Sequence, residues 1–391
     1  MIFTSESTRR LRSIMPVPLL LVALLVTAVA AFAGEYLLYV GTYTGKGSEG
    51  IYAYRFNPET GETSSIGLVA ATDNPSFLVV DPNGSFLYAV NELDSFHNEP
   101  TGAASVFAID RKTDKLNLLQ QVSSLGGSPA HLSLDKSGRF LMVANYGGGN
   151  YAVFPIGKDG RLGSYTAFVQ DVGSSVNPKR QAGPHAHSIQ VTNDNRFVLV
   201  ADLGLDKVLV SRFDATAGSL TPGNPKFVTV DPGAGPRHIA VAPSGKSVYA
   251  VNELASTVTA FAYHPGSGSL QKKQTISTLP KNFAGVNTAA EIQVDARGRF
   301  LYVSNRGDDS IAVYRINPGN GRLEPVEWVP SGGKTPRNFV IDPSGKWLIA
   351  ANQDSDDIKL FRIDPHSGRL LPGAGSIKVV SPVCICFLPP Q

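Results

Sequence analysis

The chain has 391 residues, 42% hydrophobic and 17% charged, with a formal net charge of +3. That balance excludes disorder, and the positive charge is not gathered into a run, which excludes a nucleic-acid-binding stripe. Two cysteines exclude a disulfide framework or a C-x-x-C metal pair, while 39 glycines and 27 prolines suit many short strands joined by tight turns.

In chain order, the first feature is a leader. Arg9, Arg10 and Arg12 precede the apolar run Leu19–Val26, which Ala31-Phe32-Ala33 closes. A charged segment, an apolar core and an A-x-A site predict an export signal over residues 1–33, cut after Ala33. The apolar run is short for a spanning helix, so no stable membrane span is expected after cleavage. The remaining domain, residues 34–391, is expected in the periplasm or outside the cell, as a monomer.

From Tyr36 onward one pattern recurs. YLLYVGT from Tyr36 is followed by FLYAVNE from Phe86, FLMVANY from Phe140, FVLVADL from Phe197, SVYAVNE from Ser247, FLYVSNR from Phe300 and WLIAANQ from Trp347. A period of roughly fifty residues points to a propeller or a solenoid. Before most copies lies a shorter apolar segment, such as PSFLVVD from Pro75 or PRNFVID from Pro336, then a turn such as Asp81-Pro82-Asn83-Gly84. Proline second and glycine fourth suit a type I turn. After each copy comes an alternating run, a hairpin turn such as Asn317–Gly321, and a fourth run. Seven such turns match seven runs, which predicts a seven-bladed all-β propeller with four antiparallel strands per blade. The ends are complementary. Tyr36–Thr42 is a second strand with no first strand before it, and Pro382–Phe387 matches the first-strand pattern. The C-terminal strand is therefore expected to pair with the N-terminal blade and close the ring. Cys384 and Cys386, two apart in that strand, share one face and read as small buried hydrophobes.

A propeller's chemistry belongs at equivalent positions around its channel, where charge breaks the repeat. The second position of the innermost strand reads Ser76, Ala130, His187, Arg237, Ala290 and Arg337; the next reads Phe77, His131, Ser188, His238, Glu291 and Asn338. The end of the FLYVSN-type run reads Thr42, Glu92, Tyr146, Leu203, Glu253, Arg306 and Gln353. Whether these two sets share a rim is not fixed by the spacing. Taken together, Arg237, Arg306 and Arg337 with His185 and His187 would make a cationic funnel for a small anion. There is no G-x-S-x-G elbow, H-E-x-x-H helix or phosphate loop, and no cofactor or metal is expected.

Gly183-Pro184-His185-Ala186-His187-Ser188, Gly235-Pro236-Arg237-His238, Val251-Asn252-Glu253, Ser304-Asn305-Arg306-Gly307 and Thr335-Pro336-Arg337-Asn338-Phe339 resemble the signature segments of the seven-bladed lactonase family. That family includes propeller-type 6-phosphogluconolactonases and carboxy-cis,cis-muconate cyclases. The resemblance covers Glu35 to Phe387. It implies cofactor-free opening or closing of a lactone, with a catalytic His at His187 or His185, arginines at Arg237 and Arg306, and a glutamate at Glu253. The blade alignment adds Arg337, with His185 and His238, as substrate-binding residues. The expected activity is lactone hydrolysis on a small anionic sugar lactone. His187 or Glu253 would be the general base, Arg237 or Arg306 the oxyanion donor, and the other arginines would hold a phosphate or carboxylate. The alternatives are a muconate-type cycloisomerase, a non-enzymatic periplasmic YVTN-type binding propeller, and a metal-dependent lactonase, for which Glu253 and Glu291 are too few carboxylates.

Overall fold

A computed structural model describes residues 1–4 and 34–388, and the chain from residue 34 onward folds as one unit. The expected leader and its cut after Ala33 fall on residues 5–33, outside the described residues. Among the described residues no helix is long and apolar enough to cross a membrane.

Seven antiparallel sheets of four strands each make the blades. In the fifth blade the strands are Pro236–Val241, Ser247–Asn252, Thr257–His264 and Ser269–Ser277, in that spatial order from channel to rim. Burial follows the sequence pattern. The second strand, Ser247–Asn252, is an unbroken apolar run and is covered on both faces, whereas the outer strand Ser269–Ser277 alternates toward solvent. The ring closes as the chain ends require: Pro382–Leu388 pairs with Tyr36–Thr42, from Leu37 opposite Leu388 to Thr42 opposite Pro382. Cys384 and Cys386 are free thiols packed on one apolar cluster at this seam, Cys384 fully inside it.

The turn after each innermost strand has the expected chemistry. The Gly84 N–H donates to the Asp81 carbonyl at 2.9 Å with φ of 64°, and Asp81 Oδ1 accepts from the Ser85 and Phe86 N–H groups, both at 2.6 Å. The fourth blade puts Asn195 in that left-handed position, φ 58°, the residue type that tolerates it best after glycine.

The innermost strands carry a feature that the sequence pattern does not announce. In six blades their register with the second strand shifts by one residue at the second position: Pro129 pairs Asn145 but His131 pairs Ala144, and Pro236 pairs Asn252 but His238 pairs Val251. The same shift occurs after Ala186, Ala289, Pro336 and Pro382. Each is a β-bulge, with two residues opposite one. A plain strand would send consecutive side chains to opposite faces. The bulge turns the second and third positions toward the channel together, and these are the two positions that hold His187, Arg237, His238, Glu291 and Arg337.

A candidate active site at the mouth of the channel

Antiparallel pairing places the start of each innermost strand beside the end of its second strand, so the two residue sets share one rim. Thr288 lies opposite Arg306, and Pro236 opposite Asn252. Glu253, one residue past Asn252, therefore meets Arg237. Its carboxylate is 5% exposed and accepts three guanidinium bonds. Arg237 Nε donates to Oε2 at 3.1 Å, Arg306 Nη2 to Oε2 at 2.8 Å, and Arg180 Nη2 to Oε1 at 2.7 Å. Burial alone would raise the Glu253 carboxyl, but Arg306, Arg237 and Arg180 outweigh it and hold it at about 2. Glu253 is thus ionised at any working pH and is saturated with donors.

Arg237 is only 2% exposed. Burial, with Arg306 and Arg337 nearby, lowers its guanidinium to about 9, still protonated at neutral pH. Its Nη1 donates to the Ala290 carbonyl at 2.8 Å and lies 3.1 Å from His238 Nε2. Because a guanidinium only donates, His238 Nε2 is the acceptor and the ring proton sits on Nδ1, 3.3 Å from Glu291 Oε2. His238 is therefore one layer below the mouth. Burial drives both His238 and Glu291 toward their neutral forms, with Glu291 raised to about 7. His131, Glu291 and Asn338 lie in the same layer, which borders a cavity of about 350 Å³ opening toward the other ends of the innermost strands.

His187 is 5% exposed, with Nε2 3.9 Å from Glu253 Oε2 and Nδ1 without a hydrogen-bond partner. Burial, then the charges of Arg237 and the proximity of His238, push its pKa well below the ordinary 6.5, so it is a neutral imidazole. Tyr146 packs against its edge, ring centres 5.2 Å apart, and stacks on His185 at 4.4 Å. His185 Nδ1 lies 2.9 Å from the Tyr146 carbonyl oxygen, which can only accept, so Nδ1 carries the proton. Arg337 stands over the Tyr43 ring, 5.2 Å from its centre, and 3.9 Å from Glu92 Oε2. It makes no hydrogen bond among the described residues. Its charge nonetheless helps to depress His187, His238, Arg237 and Arg306, so it shares the mouth with them.

The structure thus brings His187, Arg237, Glu253 and Arg306 into one contact network, sets Arg337 within its field, puts His185 at the rim and His238 beneath. Sequence reasoning missed Arg180, which lies between the third and fourth blades and has no counterpart in the repeat; Tyr146, its hydroxyl partner at 3.2 Å, did stand at an aligned run end. Among the described residues no three His, Cys, Asp or Glu side chains are grouped to hold a metal. Chemically, the arrangement offers a neutral base beside an excess of fixed guanidinium donors.

Comparison with known proteins gives a consistent picture. Residues 37–387 match the family model described as lactonase, 7-bladed beta-propeller. A 6-phosphogluconolactonase of Bacillus subtilis (strain 168) is 37% identical over 307 residues, 78% of this chain and 85% of that protein. One from Formosa agariphila is 34% identical over 306 residues, 77% of this chain and 85% of that protein. The solved structure of the Pseudomonas aeruginosa periplasmic gluconolactonase superposes with a TM-score of 0.84 at 36% identity, covering 91% of this chain and 99% of that one.

Proposed function

The chain belongs to the seven-bladed β-propeller lactonase family and is a lactone hydrolase, and from that premise we propose that it opens a small anionic sugar lactone at the arginine-lined mouth, with His187 as the general base. One observation carries this assignment of roles. His187 is neutral and its Nε2, 3.9 Å from Glu253 Oε2, makes no hydrogen bond among the described residues, while Glu253, the other candidate base, is held at about 2 by three guanidiniums. A carboxylate so stabilised is a poor proton acceptor; it fixes the arginines instead.

The chemistry follows from ester hydrolysis. Water attacks the lactone carbonyl carbon while His187 takes one of its protons. Negative charge collects on the carbonyl oxygen. Arg237 Nη2 and Arg306 Nη1 make no hydrogen bond among the described residues, so they are free to donate to that oxyanion. Such a donor contributes about 10²–10³-fold. Collapse breaks the bond from the carbonyl carbon to the ring oxygen, which takes the proton back from the imidazolium. The product is the open-chain hydroxy acid, ionised at neutral pH. Arg337 holds the sugar's oxygens across the mouth, and His185 and His238 shape the rim and floor.

The test is background-corrected hydrolysis of sugar lactones by the wild-type protein and by His187→Ala. The wild type should show saturable turnover. The variant should lose about 10²–10⁴-fold in kcat/KM, the usual worth of a positioned base. A variant within a few-fold of wild type would remove His187 from this role.

A further inference from the structure

We infer that Arg180 reads the substrate's own anionic group, a phosphate or carboxylate carried on the lactone away from the ring ester. The inference rests on the lactonase reading above. Of the four guanidiniums at the mouth, Arg180 has the most open side chain, 39% exposed against 2% for Arg237, 13% for Arg306 and 17% for Arg337. It also makes its two bonds, to Glu253 Oε1 and Tyr146 Oη, through Nη2 alone. Nε and Nη1 have no partner among the described residues, so Arg180 can bind an anion without releasing Glu253.

Its position is set in advance. The next residue, Gln181, is fully buried and donates to Asp206 Oδ1 at 2.7 Å and to the Leu203 carbonyl at 2.9 Å. Ser175 Oγ donates to Asp206 Oδ2 at 2.5 Å. The segment that carries Arg180 is therefore pinned at both sides of the arginine. Tyr146 forms the wall between Arg180 and His187, touching the first through its hydroxyl and the second through its ring edge. Arg180 and Arg237 hold the two oxygens of the same Glu253 carboxylate, so a lactone whose carbonyl meets His187 and Arg237 lies within one sugar's length of Arg180. Arg337 also has unbonded donors, but it lies deeper, packed over the Tyr43 ring and 3.9 Å from Glu92 Oε2. A pre-positioned guanidinium loses little conformational freedom when it binds an oxyanion, and charge-assisted bonds of this kind are the strong class.

The experiment compares three substrates in wild type, Arg180→Met and Arg180→Lys. These are glucono-1,5-lactone (neutral), 6-phosphoglucono-1,5-lactone (phosphate) and glucaro-1,4-lactone (carboxylate). The readout is the ratio of kcat/KM for each anionic lactone over the neutral one, which cancels any general loss transmitted through Glu253. In Arg180→Met the ratio for the favoured anion should fall by roughly 10–100-fold, mostly through KM, and Arg180→Lys should recover part of it. Whichever ratio falls identifies the anion. Unchanged ratios would overturn the inference. Equilibrium titration with 6-phosphogluconate and with glucarate, each against gluconate, makes the same comparison without turnover. If no lactone is hydrolysed but the affinity advantage of 6-phosphogluconate disappears in Arg180→Met, the lactonase reading fails and the anion site stands. If the advantages of 6-phosphogluconate and of glucarate over gluconate both survive in Arg180→Met, the anion site fails.

Discussion

Glu253 is the residue on which the mouth depends, because it lets three guanidiniums crowd around a neutral histidine. Its partners Arg237 and Arg306 were legible from the sequence, because both are charges at positions that the repeat aligns from blade to blade. Arg180 was not legible, since a residue on an insertion between blades has no aligned neighbours to make it conspicuous. The buried histidines carry a measurable consequence. His131, His187 and His238 are all held well below 6.5 by burial, and the unfolded chain leaves them near 6.5. Below 6.5 the unfolded state therefore binds protons that the folded state refuses, so their contribution is complete above that pH and is lost as pH falls, at about 1.4 kcal/mol per unit for each histidine. Glu291 works the other way: raised from 4.5 to about 7, it favours the fold increasingly as pH drops from 7 toward 4.5. So do Asp171, raised by burial and by the neighbouring Asp202 charge, and Asp202, raised by burial, and three carboxyls therefore oppose three histidines. Removing one histidine isolates its share: on going from pH 7.5 to pH 5 the urea midpoint should change more favourably for the fold in His187→Ala than in wild type, and an identical change in the two would show that this imidazole is not buried neutral.

At the scale of the element, the repeat's Phe anchor and hairpin glycine turn out to be two halves of one contact. A Cβ on Gly160, Gly218, Gly268 or Gly368 would come within 2.2–2.4 Å of the ring of Phe86, Phe140, Phe197 or Phe300, the anchor of the preceding blade. Across the closure, Gly61 of the first blade meets Trp347 of the seventh in the same way, at 2.4 Å, and Trp347 Nε1 donates to the Pro58 carbonyl at 2.9 Å. Tyr88, Tyr249 and Tyr302 add hydroxyl bonds to the carbonyls of Gly160, Gly321 and Gly368. Gly268 also has φ of 76°. Gly268→Ala should cost about 2–4 kcal/mol, combining left-handed strain with overpacking of Phe197. Gly266→Ala, in the same hairpin with open space around it, should change little. Equal urea midpoints for the two variants would contradict this account of the seam. The strands themselves were readable because each is an apolar run between turn residues. The bulges were not, because an extra unpaired residue needs no special side chain and recurs at the same aligned position, leaving the repeat looking regular.

For the whole molecule, the seven-fold count was legible from seven runs matched by seven hairpin turns and the closure from the two incomplete ends, and the pairing of Pro382–Leu388 with Tyr36–Thr42 agrees with them. The rim on which the site forms was not, since it depends on which strand ends antiparallel pairing brings together. That rim gathers charges from the second to the seventh blade, so the site exists only in the closed ring. We propose that this ring works outside the cytoplasm, on the strength of Arg9, Arg10 and Arg12, the Leu19–Val26 run and the Ala31-Phe32-Ala33 site. Protein recovered from the periplasm or medium of the producing cell should begin at Gly34 by intact mass. Protein retained in the cytoplasm with Met1–Ala33 still attached would contradict that placement.

Whether a neutral, buried His187 activates water beside guanidiniums fixed by Glu253 is read from the pH dependence of kcat/KM for lactone hydrolysis. Lactone ring opening releases a proton at neutral pH, so rates can be followed by proton release against the spontaneous background. The profile should be flat from about pH 6.5 to 8 and fall only well below 6.5, where His187 becomes protonated, and His187→Ala should abolish that acid limb together with most of the rate. An acid limb centred at or above 6.5, or an unaltered profile in His187→Ala, would contradict the account.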